Sequence, residues 1–305
     1  SLIQATNATL NMAGSSEIAS LLATASLNNV NYTGAAQTVK PIVYHNLGLS
    51  GSGGKSLTDV SSIYGNLTTA GTVMVTNKMN LVIGGDLIIG AGTEVRMAGF
   101  DFTVNGNTHI DGLLGCTSTT DGIKTFAGDF NLNSSGYWDI PVDEDFTFGG
   151  NWKKNGSNTT GWGMWTFTGI GKTFSGAATC ALPYATITGS YTNLGRMFVE
   201  ASLLGTGKLT QAENAILIIG DSNVSIAGLV ADTNPNTIIY GRTNSQTARA
   251  MTYDQLVFSS GYTVTLGGPI VVKSNLTVTG NTTLDVSSNN YALSVGGNWA
   301  NSNGA

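Results

Sequence analysis

The densest run of chemically capable side chains is WDIPVDEDF, which holds Asp139, Asp143, Glu144 and Asp145 within one short stretch. Neighbouring carboxylates on one strand face can serve a polysaccharide hydrolase or lyase as acid and base, and oxygen clusters of this kind also hold Ca2+. Pro141 interrupts the run, so it reads as a solvated turn bulging from a strand, a surface acidic cluster rather than an active site. The nonapeptide Ca2+ signature GGxGxDxUx is absent from the chain.

Other candidates fail on spacing. SGSGGKS at 50–56 resembles a phosphate loop, but the motif needs glycine where Leu49 stands, and GIGKT at 169–173 fails in the same way at Thr166. The two histidines, His45 and His109, lack a nucleophile motif or a second metal ligand at useful spacing. Cys116 and Cys180 form no CxxC pair and read as separate structural thiols. Arg96, Arg196, Arg242 and Arg249 are scattered along the chain. In GWGMWTFTG, alternation puts Trp165 and Phe167 on one face and Met164 on the other, which suits core packing; stacking of Trp162 or Trp165 on sugar rings is the alternative. No catalytic residue, cofactor or metal site is assigned.

The composition asks for strands and turns. Only 10 % of the 305 residues are charged while 41 % are hydrophobic, so Thr, Ser, Asn and Gly must build the polar surface. Those residues are poor helix formers. A net charge of −5 without any Lys/Arg run excludes a nucleic-acid footprint. No apolar run is long enough for a membrane-spanning helix, so membrane insertion is not expected.

The elements that would carry any site recur on a ruler. Gly65-Asn66, Gly85-Asp86, Gly106-Asn107, Gly128-Asp129 and Gly150-Asn151 each precede a strand-like run, and the near-constant step between them is the mark of a repeat. The glycines are expected to stack at one corner, supplying a turn with φ > 0, and the Asn/Asp side chains to bond along the stack as a ladder. Leu67, Leu87, Phe130 and Trp152, one residue further on, should return to the core, with Thr108 breaking that apolar column.

A longer period lies above this one. LIQATNATLNMAG from Leu2 returns as LTQAENAILIIGD from Leu209, VNYTGAAQTV as IIYGRTNSQTA, VYHNLGLSG as TYDQLVFSS, and NLVIGGDL as ALSVGGNW, with an offset that barely drifts between the first phrase and the last. Residues 2–100 and 209–305 are therefore copies. The pattern reads as running on past GGNW near the C-terminus, so residues 1–305 form one solenoid segment of a longer chain. A unit of about 21 residues cannot bury its own apolar face and must stack on its neighbours. Three short strands and three turns fit that length, which predicts an all-β fold, a right-handed parallel β-helix.

The phrases TGAAQTV, YHNLGLSGSGGKSL, GNLTTAGT and VGGNWANSNG resemble the tandem β-strand repeats of very large Bacteroidota cell-surface, adhesin-like proteins, type 9 secretion cargo that includes gliding adhesins. The resemblance implies an extracellular, non-catalytic stalk or adhesive filament. Its partners would be flanking repeats of the same polypeptide, surface glycans, and the secretion and outer-membrane machinery. A β-helical polysaccharide lyase or hydrolase is the alternative. A carbohydrate- or ice-binding face would need a regular Thr rank, and pairs such as Thr277 and Thr279 do not recur at one rung position.

Overall fold

In the computed structural model, residues 1–14, 18–116, 122–220, 223–242 and 244–302 are described. They contain strands and turns, and no helix is long and apolar enough to cross a membrane. The chain divides into two compact units, Ser1–Gly163 and Met164–Ala305. Each is a parallel β-solenoid.

In the first unit, strands Leu67–Thr69, Leu87–Ile89, Thr108–Ile110, Phe130–Leu132 and Trp152–Lys154 follow one another along one face. Their register aligns Leu67, Leu87, Thr108, Phe130 and Trp152 in a single column, one rung separating each from the next. Two further parallel faces complete each turn, one through Thr72–Asn77, Glu94–Met97 and Leu113–Cys116, the other through Leu81–Ile83, Phe102–Val104 and Lys124–Phe126. The second unit follows the same rule, with Ile216–Ile219, Thr237–Tyr240, Gln255–Phe258 and Leu276–Thr279 paired in order.

The strands form because residues alternate between the interior and the surface with period two, and short runs of Val, Ile, Leu and Phe tolerate the pleat. Val30, Leu67, Ile83, Leu87, Val104 and Ile110 are fully buried in the first unit, as are Ile238, Leu256, Val264 and Leu276 in the second. Aromatic rings stack from rung to rung: Phe130 lies 6.1 Å from Trp152 at 8° between planes, and Phe126 lies 5.8 Å from Phe148 at 14°. Thr108 interrupts its column with a buried hydroxyl that has no hydrogen-bond partner among the described residues. Cys116 and Cys180 are buried, and no disulfide joins them.

The copies share their buried wiring as well as their strands. In the first, the Lys40 N–H donates to the Tyr32 hydroxyl at 2.9 Å, Tyr32 and Tyr44 meet at 3.0 Å, and the Tyr44 hydroxyl returns to the Lys40 carbonyl at 2.8 Å. In the second, Arg249, Tyr240 and Tyr253 close the same ring at 2.9, 3.0 and 2.6 Å. The ring sits where the rung is short: Tyr32 pairs with Leu49 and Tyr240 with Phe258, both nearer in sequence than Leu67 is to Leu87. At that corner the two phenols serve the backbone N–H and carbonyl of Lys40, and in the second copy those of Arg249.

Candidate functional site

The predicted Gly–Asn corner is a continuous hydrogen-bonded column. The Gly85 N–H donates to the Gly65 carbonyl at 2.8 Å, and Gly106 to Gly85 at 3.0 Å. Beside them, side-chain oxygens accept from the backbone of the next rung. Asn66 accepts from the Asp86 N–H at 2.8 Å, Asp86 from Asn107 at 2.7 Å, Asn107 from Asp129 at 2.9 Å and Asp129 from Asn151 at 2.8 Å. The column also runs one rung earlier, from Asn46 to Asn66 at 2.9 Å. The second copy repeats the contact from Asn275 to Asn298 at 3.0 Å.

The reason for the glycines differs from the expectation. Gly65, Gly85, Gly106, Gly128 and Gly150 do not have positive φ; that conformation belongs to another corner, at Gly51, Gly71 and Gly92. What the five glycines accommodate is close approach. A Cβ on Gly128 or Gly150 would sit 2.3 or 2.2 Å from the carbonyl oxygen of the glycine one rung before, and one on Gly65 would sit 2.1 Å from Asn46 Oδ1. The column is tight because the Asn and Asp oxygens pull successive corners together.

The acidic run does not assemble as one surface cluster. Asp139 lies on the strand Tyr137–Asp139 and accepts the Thr159 hydroxyl at 2.8 Å. Asp143 is exposed on the following turn and accepts the Trp162 N–H at 2.6 Å, and Asp145 is also exposed. Glu144 points inward, contrary to the reading of a solvated turn: it is 3 % exposed and bonded at 2.8 Å to Lys124 Nζ. Lys124 occupies a core column between Phe102 and Phe146. A lone ammonium there would be prohibitively costly, so the chain folds one carboxylate of the acidic run inward to meet it.

Lys55, the lysine of the loop-like SGSGGKS, is also consumed internally. Its Nζ donates to the Gly34 carbonyl at 2.9 Å, to Gln37 Oε1 at 2.8 Å, and to the Ala35 carbonyl. Desolvation lowers its pKa from the ordinary lysine value. A phosphate has no access to this ammonium, which is 1 % exposed. In the second copy the equivalent position is Val264, since Gln246 pairs with Val264 as Gln37 pairs with Lys55.

His45 and His109 are both half-buried, His109 on the outward side of its strand. Trp165 and Phe167 are core residues, Met164 faces out, and Trp162 is 52 % exposed. The register does gather one polar column that the sequence leaves dispersed: Thr76, Arg96, Gly115, Asp139 and Thr159 are successive partners. Arg96 pairs with Glu94 on its own strand. Among the described residues, no group of three His, Cys, Asp or Glu side chains is placed to hold a metal ion.

Comparison with protein-family models, with curated proteins and with solved structures returned no match. The functional reading therefore rests on the geometry above. Sequence reasoning missed the inward turn of Glu144, although Lys124 lies just one rung before it. A pair of opposite charges one rung apart and flanked by Phe-x-Phe is the signal that would have found it.

Proposed function

We propose that this chain is a structural and adhesive segment of an extracellular cell-surface filament, and that it is not catalytic. The observation that carries the reading is what the two copies share. They keep the buried ring of Tyr32, Lys40 and Tyr44 as Tyr240, Arg249 and Tyr253, together with the glutamine that caps the preceding rung. Gln37 donates to the Met12 carbonyl at 2.9 Å, and Gln246 to the Ile219 carbonyl at 3.0 Å. Several outward residues differ: His45 becomes Asp254, Asn31 becomes Ile239, and Gly48 becomes Val257, while Asn66 and Thr68 return as Asn275 and Thr277. A chain that repeats its buried ring and its corner ladder while changing residues on its outer faces multiplies length.

The acidic run supports the same reading, since its carboxylates go to a strand face, a turn and the interior rather than to one groove. The resemblance of its repeat phrases to type 9 secretion cargo of the gliding-adhesin kind extends the proposal to the cell surface of a Bacteroidota organism. Flanking repeats, surface glycans and the outer-membrane machinery are the partners it requires. Beads coated with the purified chain test the reading against a panel of surface polysaccharides. Retention without new reducing or unsaturated ends is the expected result. Release of such ends, abolished by Asp139→Asn, would replace it with the lyase or hydrolase alternative.

A further inference from the structure

The amide corner opens, at one place, into a notch. Asn29, Asn31, Asn46, Gly48, Asn66 and Thr68 border a cavity of about 340 Å³ on the outer face of the first copy, and none of the residues lining it is charged. That volume lies at the lower end of ligand pockets, roughly 300–1,000 Å³. Gly48 stands between Asn31 and Thr68 in an outward column along its floor. Glycine at this position lets the Asn31 side chain lie across the rung, with Oδ1 2.2 Å from where a Gly48 Cβ would be.

The hydrogen-bonding sense of the lining is fixed by the ladder. Asn46 and Asn66 each accept one backbone N–H at Oδ1, from Asn66 and Asp86, which orients the side chain and keeps its NH2 group available to donate. Asn31 is committed the other way: its Nδ2 donates to Asn11 Oδ1 at 2.8 Å, which leaves Oδ1 as an acceptor. The lining thus offers the Asn46 and Asn66 amides as donors, the Asn31 amide oxygen as an acceptor, and the Thr68 hydroxyl able to do either. Adjacent donors and acceptors without net charge match the vicinal hydroxyls of a neutral sugar ring.

The second copy shows that the coil does not need this notch. There the register Ile239–Val257–Thr277 replaces Asn31–Gly48–Thr68, and two branched apolar side chains stand where the first copy has an amide lying over a glycine. The same fold position is filled in one copy and opened in the other. We infer that the notch at Gly48 is a binding subsite for a neutral hexopyranose unit of a surface polysaccharide. This deepens the adhesive reading and rests on it, whereas a bare spacer would need no such site.

The test titrates the whole chain with methyl glycosides of glucose, mannose, galactose and N-acetylglucosamine, with glucuronate as the charged comparison, and follows side-chain amide resonances by NMR. The expected result is that at least one neutral glycoside shifts the Asn46 and Asn66 amides more than glucuronate does. The variant Asn31→Ile with Gly48→Val, which copies the second repeat, should weaken that binding by about tenfold or more, as the loss of one or two hydrogen bonds predicts. Thr68→Val, a change at a half-buried position, should weaken it too and serves if the double variant does not fold. Absence of any shift at these amides, or unchanged affinity in a folded variant, overturns the proposal. Beads that still adhere to polysaccharide when the double variant is used would remove the notch but leave the adhesive reading in place.

Discussion

The hydroxyl oxygens of Tyr32 and Tyr44 meet at 3.0 Å inside the first copy. Both phenols are buried, and both belong to a ring that begins and ends on the backbone of Lys40. Tyr240 and Tyr253 repeat the arrangement around Arg249. Two faces of the coil are thereby tied within a single rung, a link that ladder bonds between rungs cannot make.

This tie makes the protein sensitive to alkali. Burial is the main cause raising the pKa of Tyr44 and Tyr253 above the ordinary value of 10.0. The unfolded chain releases these protons near pH 10 and the folded chain holds them, so above that pH the native state binds more protons than the unfolded state. Stability is therefore fully present below pH 10 and is lost as pH rises through the folded-state values, by up to about 1.4 kcal/mol per pH unit for each phenol. Melting temperatures should hold nearly level from pH 8 to about pH 10 and fall steeply above it. Tyr44→Phe should start lower by about 1 kcal/mol and fall less steeply. Parallel slopes for the two proteins would contradict the assignment.

The Lys124–Glu144 pair should behave as a buried pair does. Lys124→Met alone leaves a carboxylate in the core beside Phe146 and is expected to cost about 3–5 kcal/mol. Adding Glu144→Leu should restore most of that loss, because well-packed apolar side chains often equal a buried ion pair. Denaturant melts of the single and double variants give the coupling directly.

Corner glycines should differ sharply from a glycine with room around it. Gly106→Ala would put a Cβ 2.5 Å from the Gly85 backbone and the Asp86 carboxylate, and is expected to cost at least about 1–3 kcal/mol. Gly54 has nothing within 4 Å of an added Cβ, and Gly54→Ala should stay within about 0.5 kcal/mol of the parent. Equal melting temperatures for the two would show that close approach is not why the corner is glycine.

The coil is legible because its spacing is written in the chain. The step from Gly65 to Gly150 marks the rungs, and the residue two positions after each glycine, from Leu67 to Trp152, is the buried column. What periodicity cannot express is distance between backbones. It credits the corner glycines with an unusual φ, when their task is to admit atoms of the preceding rung 2.1 to 2.5 Å from where a Cβ would sit. Glu144 escapes the sequence for a related reason. A carboxylate after a proline reads as solvated unless the buried ammonium one rung earlier is taken with it. The notch at Gly48 is visible only by setting the copies side by side, since its signal is the replacement of Val257 and Ile239 by Gly and Asn.

Single-molecule force extension of the chain between its two ends tests the structural half of the proposed function, since a filament segment built of stacked rungs should give way rung by rung. Each rung of about 20 residues should release about 70 Å of contour as it peels away, at roughly 3.4 Å per residue, in a train of steps that recurs along the trace. A single all-or-none release at low force, without that step length, would contradict the account.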